Sequence, residues 1–354
     1  MIRFNPIWLA FLAVTLAATP APADVTREAS RRVVPATGFK ALRVSNLSGS
    51  VLLRPSADGQ LHLEAVKVLH GSPSERARLS SETRVDATEE QGVYVVKVLY
   101  QQRARVRVNL WDLFSHFELP YADVELTLDV PGTLPVQVST ASGDVESTDI
   151  GGPQQITTSS GDIQVSGATG PVDTRSASGD VRAEGLGAAV LRTTSGDLVI
   201  TDARGPLIAR SSSGDVTVEG AADTVAIVTV SGDIRVTQAP RGLSLSTSSG
   251  EVVVDGAAGR VNVESTSGDV RVGLRAPFAL GRITSSSGDL GVKLGAGIGC
   301  ALEIHTASGT LDVSAPVRVG EVSRRALSAK FGNGTAPLTL RTTSGDIHVT
   351  SGGN

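Results

Sequence analysis

The feature that constrains this chain most is a Ser-Gly-Asp triplet that returns at a nearly constant interval. Its glycine stands at positions 143, 161, 179, 196, 214, 232, 268, 288 and 345, and near-copies ending in Glu or Thr place glycines at 250 and 309. Successive glycines are mostly 18 residues apart, and the last interval is 36. A short unit repeated at a constant interval predicts a solenoid, because each unit can bury its apolar face only against its neighbours.

The residues on either side of each triplet alternate between apolar and polar. Val225 and Ile227 precede one corner, and Ile234 and Val236 follow it. Such alternation of β-branched residues is typical of half-buried strands. The predicted fold class is therefore all-β. It is a single-stranded β-solenoid, parallel β-helix-like, whose coils of about 18 residues each contain two short strands meeting at Ser-Gly-Asp.

The corner residues suggest how the coils are held together. Glycine is predicted to adopt the positive φ that a sharp corner requires, with Ser and Asp capping amides across the turn. A Ser or Thr stands three residues before every repeat glycine, on the inward face. A buried hydroxyl needs a partner, so these side chains are predicted to bond to one another from coil to coil, or to the backbone at the bend.

In perfect register the aspartates form a column of like charges. One alternative to simple capping is calcium held between the carboxylates, since calcium prefers oxygen ligands. Calcium-binding stacked repeats use a Gly-Gly-x-Gly-x-Asp pattern, whereas this chain has one glycine per corner, and Glu251 or Thr310 replaces Asp at two of them. The interpretation favours structural capping, with no metal site and no cofactor.

The chain is predicted to have three parts. Residues 1–23 resemble an export signal, with Arg3 before a short apolar run and Ala21-Pro22-Ala23 as a cleavage pattern. Residues 24–135 form a degenerate, β-rich N-terminal part that caps the solenoid, and 136–354 form the regular repeat with an insertion near 317–337. No later run is long and apolar enough to span a membrane, so the mature chain is expected in the periplasm, outside the cell or at its surface.

Within the N-terminal part, "ALRVSNLSGSVLLRP" resembles one coil with its corner at Ser48-Gly49-Ser50. The segments "LHLEAVKVL", "VYVVKVLY" and "YADVELTLDVP" are predicted strands, and residues 72–82 a short helix. An atypical first section is expected, because the open end of a solenoid has to be covered.

The only candidate partner-binding residues lie between positions 103 and 117. Arg103, Arg105 and Arg107 share one face of a predicted strand, where they either bind an anionic polymer or lipid or form a solvated edge. Trp111, Phe114 and Phe117 follow in a chain that is only 3% aromatic. They either seal the solenoid or dock a membrane or partner.

The sequence contains no recognisable catalytic centre. It has no serine-hydrolase elbow, zinc-protease motif or phosphate-binding loop, and its five histidines are not at metal-ligand spacing. A net charge of −4 argues against a nucleic-acid partner. Acids on one face of a β-solenoid leave open an enzyme acting on polysaccharide.

The export signal, "SNLSGSV", "LTLDVP" and the run of "TxSGDI/V" turns resemble a bacterial extracytoplasmic family described as adhesin-like with β-strand repeats, a domain of unknown function. The resemblance covers about Phe39 to Thr350. It implies a β-solenoid of the cell envelope without established catalytic residues. The predicted function is a non-enzymatic adhesin-like binding or scaffold module whose partner is an envelope protein or glycan. A polysaccharide-acting enzyme and an envelope-stress scaffold without a ligand are the alternatives.

Overall fold

The computed structural model describes residues 25–100 and 120–352. The chain divides into two compact units, Met1–Glu146 and Ser147–Asn354. The three-part division predicted from the sequence, with its boundary at 135/136, stays a prediction. No helix of the described residues has the length and apolar character needed to cross a membrane.

The described part of the first unit is mostly β-structure with one helix. Its elements are β1 (Val25–Val34), β2 (Ala41–Asn46), β3 (Val51–Pro55), β4 (Leu61–His70), α1 (Pro73–Glu82), β5 (Thr83–Glu90), β6 (Val93–Tyr100), β7 (Ala122–Val130) and β8 (Val136–Thr140). Strand β4 is antiparallel to β1 and β7, β5 is antiparallel to β6, and β7 is parallel to β3. The helix predicted at 72–82 and the three predicted strands are confirmed.

A degenerate coil is present in this unit, as its sequence predicted. Strands β2 and β3 are joined at Ser48-Gly49-Ser50, and β8 runs parallel to β2 with Val44 opposite Val138. A Cβ atom added to Gly143 would lie 2.0 Å from the carbonyl oxygen of Gly49. The two corners are therefore stacked in contact, just as two regular coils are.

Strand β9 (Val145–Thr148) crosses the division between the units, and the remaining strands belong to the second. In chain order they are β10 (Gln154–Thr158), β11 (Ile163–Ser166), β12 (Val172–Ser176), β13 (Val181–Glu184), β14 (Ala189–Thr193), β15 (Leu198–Thr201), β16 (Leu207–Arg210), β17 (Val216–Glu219), β18 (Val225–Val228), β19 (Ile234–Ala239), β20 (Leu243–Ser249), β21 (Val252–Ser267), β22 (Val270–Ser287), β23 (Leu290–Leu294), β24 (Cys300–Ser308), β25 (Leu311–Ser314), β26 (Val317–Val322), β27 (Ala326–Phe331), β28 (Ala336–Ser344) and β29 (Ile347–Ser351).

The second unit is a β-solenoid of parallel strands, as predicted. From β10 to β20 each strand pairs in register with the corresponding strand one coil later, so β10, β12, β14, β16, β18 and β20 form one ladder and β11, β13, β15, β17 and β19 another. Val216 lies opposite Ile234, and Val218 opposite Val236. These inward side chains are fully or almost fully buried. The alternating sequence pattern therefore corresponds to columns of stacked apolar side chains.

The coils from Gly143 to Gly250 turn a second time at the sixth residue after the repeat glycine. This position has positive φ in seven coils, at Asp149, Gly167, Gly185, Asp202, Gly220, Gln238 and Gly256. The next residue is buried and apolar, as at Leu186 and Ala239. This second corner was not predicted, because its positive φ is filled by three residue types instead of a constant triplet.

The coils at the C-terminal end are not stacked in chain order. Strand β28 lies between β22 and β24, and β29 lies between β23 and β25. The stack therefore runs from the Gly288 corner to the Gly345 corner and then back to the Gly309 corner. The 36-residue interval between Gly309 and Gly345 therefore does not correspond to two coils stacked in chain order.

A hairpin occupies the interval near 317–337 that broke the repeat. Strands β26 and β27 pair with each other antiparallel, and β27 pairs antiparallel with β24 on the side opposite β28. The hairpin thus covers the edge of β24. Residues 332–335 then lead the chain into β28, the strand inserted on the other side of β24.

Candidate functional site

The six residues predicted to bind a partner cannot be placed. Arg103, Arg105, Arg107, Trp111, Phe114 and Phe117 all lie in the interval 101–119, outside the described residues. Their role stays a prediction, and the site described below is built from other residues.

The repeated aspartate holds successive coils together. The side-chain Oδ1 of Asp162 accepts a hydrogen bond from the backbone N–H of Asp180, at 2.9 Å. The same bond recurs from Asp180 to Asp197, Asp197 to Asp215, Asp215 to Asp233, Asp233 to Glu251, Asp269 to Asp289, Asp289 to Asp346 and Asp346 to Thr310, at 2.7–3.0 Å. Each carboxylate therefore caps an amide of the next coil, whereas the sequence predicted capping within its own turn.

This ladder explains why the third residue of the triplet can vary. Glu251 and Thr310 each donate a backbone N–H to the preceding carboxylate, and any residue other than proline supplies that group. The Thr310 coil is the last of the stack among the described residues, so it has no following amide to cap. The amide and hydroxyl of Thr310 hold the pKa of the Asp346 carboxyl below its usual value.

Nine of the eleven repeat hydroxyls bind the backbone, in two ways, and they form no chain from coil to coil. The other two, on Ser211 and Ser285, are buried without a hydrogen-bond partner among the described residues. At the first corners the hydroxyl accepts the glycine N–H, as Thr158 does from Gly161 at 3.0 Å. At later corners it donates to a carbonyl, as Thr247 does to Ser249 at 3.0 Å. Of the two partners left open by the sequence, the backbone is the one observed, because it is closer than the next hydroxyl.

Positive φ explains only part of the glycine column. Gly214 and six later repeat glycines have φ between +114° and +146°, but Gly143, Gly161, Gly179 and Gly196 do not lie in the positive region. Close stacking explains three of these, because a Cβ on Gly143, Gly179 or Gly196 would lie 1.9–2.2 Å from the carbonyl oxygen of a glycine in the preceding coil. The prediction of positive φ at every corner is therefore wrong for the earliest coils.

The described residues contain no group of three or more His, Cys, Asp or Glu side chains placed to hold a metal ion. Cys300 is fully buried, and burial raises the pKa of its thiol to about 11. A thiol with that pKa is protonated at neutral pH and is a poor nucleophile.

A row of arginines lies on the outward surface of one strand ladder. Arg175, Arg192 and Arg210 occupy the same position on β12, β14 and β16 and lie directly opposite one another. Adjacent strands in a sheet are about 4.8 Å apart, so three like charges are stacked at close range. We call this surface, with the channel beside it, the arginine face.

The charge of the row is only partly balanced. Asp173 binds Arg192 at 2.8 Å and Arg175 at 3.6 Å. Arg210 is exposed and forms no ion pair with any described residue. The row therefore contains three arginines, and a single acid pairs with two of them. The row carries an excess of positive charge on a chain whose net charge is −4.

An apolar channel runs beside the row, across the same strands. Its lining includes Pro153, Pro171 and Pro206 on one side and Val190 and Ile208 on the other. The channel is open to solvent and has a volume of about 530 Å³. Val190 and Ile208 are opposite each other in register, so the channel follows the stacking direction. Arginine charges and an apolar surface thus lie side by side.

The arginine face was absent from the sequence interpretation although its residues were visible there. When the coils are aligned on their glycines, Arg175, Arg192 and Arg210 fall four residues before it in three successive coils. Outward positions elsewhere in the repeat are also polar, so only the register shows that these three form one row.

The architecture defines an all-β solenoid protein whose outward strand faces are available for contact. A family model described as Toastrack DUF4097 matches residues 39–242 and 237–350. The chain belongs to this family, which is a domain of unknown function. The resemblance stated from the sequence is confirmed at that level. Whether Ser-Gly-Asp is a feature of the whole family is not tested. No curated protein matches the chain.

Several solved structures are similar to this chain at low identity. A "putative adhesin" from Bacteroides fragilis is 19% identical and has a TM-score of 0.43; the match covers 67% of this chain and 97% of that one. A "putative cell adhesion protein" from Clostridium sporogenes is 9% identical, with coverages of 92% and 100% and a TM-score of 0.21. A "putative lipid binding protein" from Parabacteroides distasonis is 14% identical, with coverages of 75% and 94% and a TM-score of 0.36. Similarity this low carries no argument about function.

Proposed function

We propose that this chain is an exported, non-enzymatic β-solenoid of the cell envelope or the secreted fraction. It acts as an adhesin-like binding module, and its partner is an envelope component that carries negative charge. The arginine face is the single observation on which this function rests. Residues 1–23 supply the export signal in this proposal.

The proposal follows from the electrostatic repulsion between the stacked arginines. Like charges directly opposite one another in a sheet are destabilising, and only one acid compensates three arginines. An anionic partner would relieve that repulsion and would find guanidinium groups suited to carboxylate or phosphate oxygens. A rigid ladder presents those groups at a constant spacing, so little ordering is needed on binding.

The test is binding of purified residues 24–354 to isolated cell envelopes, comparing Arg210→Gln with Arg235→Gln. Arg235 is a matched control: it is exposed on the other strand ladder and also forms no ion pair with a described residue. We expect saturable binding that Arg210→Gln weakens roughly three- to tenfold, the loss of one charge-assisted contact at an exposed position. Arg235→Gln should bind like the original chain.

Absence of saturable binding, or an equal loss in both variants, would contradict the proposal. Trp111→Ala and Phe114→Ala belong in the same assay, because the segment from Arg103 to Phe117 remains a second proposed contact. Release of sugar from the envelopes by the purified protein would instead support the polysaccharide-acting enzyme.

A further inference from the structure

We infer that the ligand of the arginine face is an anionic amphiphile, with its acyl chain in the apolar channel and its charged head group on the arginine row. This inference rests on the proposed function and specifies the chemistry of the partner. It draws on three properties of the face: its length, the small number of free hydrogen-bonding groups in its channel and the exposed apolar surface next to it.

The channel has the dimensions of a site for an extended chain. It crosses β10, β12, β14 and β16, which are three strand spacings or about 14 Å from end to end. One side is formed by residues just before the strands, Pro153, Pro171 and Pro206, and the other by the first outward position within the strands. It is therefore a long, narrow, straight groove, which suits an unbranched hydrocarbon better than a globular group.

The chemistry of the channel favours an acyl chain over a sugar polymer. Proline has no N–H, and the backbone groups of the strands are used in pairing with neighbouring strands. The polar side chains on the channel are Gln154, Gln155 and Asp173, and the last is bound to arginine. Sugar hydroxyls would find few partners there to replace their hydrogen bonds to water, whereas methylene groups need none.

The apolar surface continues beyond the channel on the next coil. Ala226 lies opposite Ile208, and Val228 lies opposite Arg210. Val228 and the nearby Val230 are 44% and 55% exposed, whereas valine is usually buried in folded proteins. A continuous apolar strip beside a positive row therefore matches a molecule that is apolar along its length and negative at one end.

The experiment is calorimetric titration of purified residues 24–354 with hexyl, octyl and decyl phosphate below their aggregation concentrations, and with inorganic phosphate as a head group alone. We expect the Kd to fall about two- to fourfold for each added methylene, according to how deeply the channel covers it. Inorganic phosphate should bind far more weakly than decyl phosphate.

Three variants separate the two parts of the site. Arg210→Gln should weaken every alkyl phosphate by a similar factor and keep the dependence on chain length. Ile208→Asn should weaken the dependence of affinity on chain length. Because Ile208 points outward, the circular dichroism spectrum of this variant should match that of the original chain. Arg235→Gln should leave both quantities unchanged.

Affinity independent of chain length would overturn the inference, as would equal binding of phosphate and decyl phosphate. If envelope binding is nonetheless lost in Arg210→Gln, the proposed function stands and the ligand is a different anion, such as an acidic polymer. If envelope binding is insensitive to Arg210→Gln as well, the proposed function fails together with the inference.

Discussion

At the corners of the solenoid, three residue types have different structural roles. The glycine allows two coils to touch, the aspartate caps an amide of the next coil, and at most corners the buried Ser or Thr hydroxyl bonds to the backbone. None of these tasks requires a ligand. The repetition of Ser-Gly-Asp is therefore explained by architecture, and a search for function has to look at the variable outward residues.

The residue-scale prediction concerns the buried hydroxyl. Thr158→Val removes the acceptor of the Gly161 N–H, and an unpaired buried amide costs about 1–3 kcal/mol. Thr157→Val is the control, because the neighbouring side chain points outward and a surface substitution changes stability by only about 0.5 kcal/mol. Urea unfolding of both variants measures the difference. Equal stabilities would show that the hydroxyl does not carry the corner.

Among the elements, the strand pair β28 and β29 determines how the C-terminal end is built. Because it enters between two earlier coils, the final residues of the repeat become interior, and the Gly309 coil becomes the end of the described stack. Burial follows this order: Ile347 is fully buried, whereas Leu311 is only half-buried. A C-terminal coil at the end of the stack would have the opposite pattern.

This order predicts unequal effects of two truncations of apolar side chains. Ile347→Ala should destabilise the protein by about 2–5 kcal/mol, the range for a fully buried large side chain. Leu311→Ala should cost clearly less, because its side chain already contacts solvent. Denaturant unfolding of the pair tests the order of the coils. A larger effect for Leu311→Ala would support stacking in chain order.

For the molecule as a whole, the regular coils make the second unit additive. Each coil contacts mainly its two neighbours, so stability is close to a sum over coils and their interfaces. The Asp215 carboxylate binds the amide 18 residues later, which means that one whole period separates equivalent positions. The number of coils in the stack can then change, but only by whole periods.

Two internal deletions test this additivity. Removing residues 215–232 joins Gly214 to Asp233 and takes out one full period, so the remaining strands stay in register. We expect a folded β-protein with a modest decrease in melting temperature. Removing only 215–223 places an incoming first strand where a second strand belongs and should abolish cooperative unfolding. Circular dichroism melting measures both; loss of folding in the full-period deletion would contradict the additive description.

The all-β class, the coil length, the two strands per coil and the degenerate coil at Ser48-Gly49-Ser50 were all determined by the sequence alone. They depend on local alternation and on a corner residue that tolerates no side chain, and both are written along the chain. The exchange of the last two coils was decided only by the tertiary structure, because parallel pairing is available to any coil in the same register. Thr310 was the one local indication of this exchange, because a corner without a carboxylate cannot cap a following coil and therefore suits the end of the stack.

The arginine face was also decided only by the tertiary structure. Each arginine by itself is an ordinary outward residue, and the charge excess arises only when β12, β14 and β16 are brought about 4.8 Å apart in register. The sequence determined that most of the outward positions are polar. Only the stacking of distant segments decided which of them form one charged row beside an apolar channel, because that proximity depends on contacts between coils.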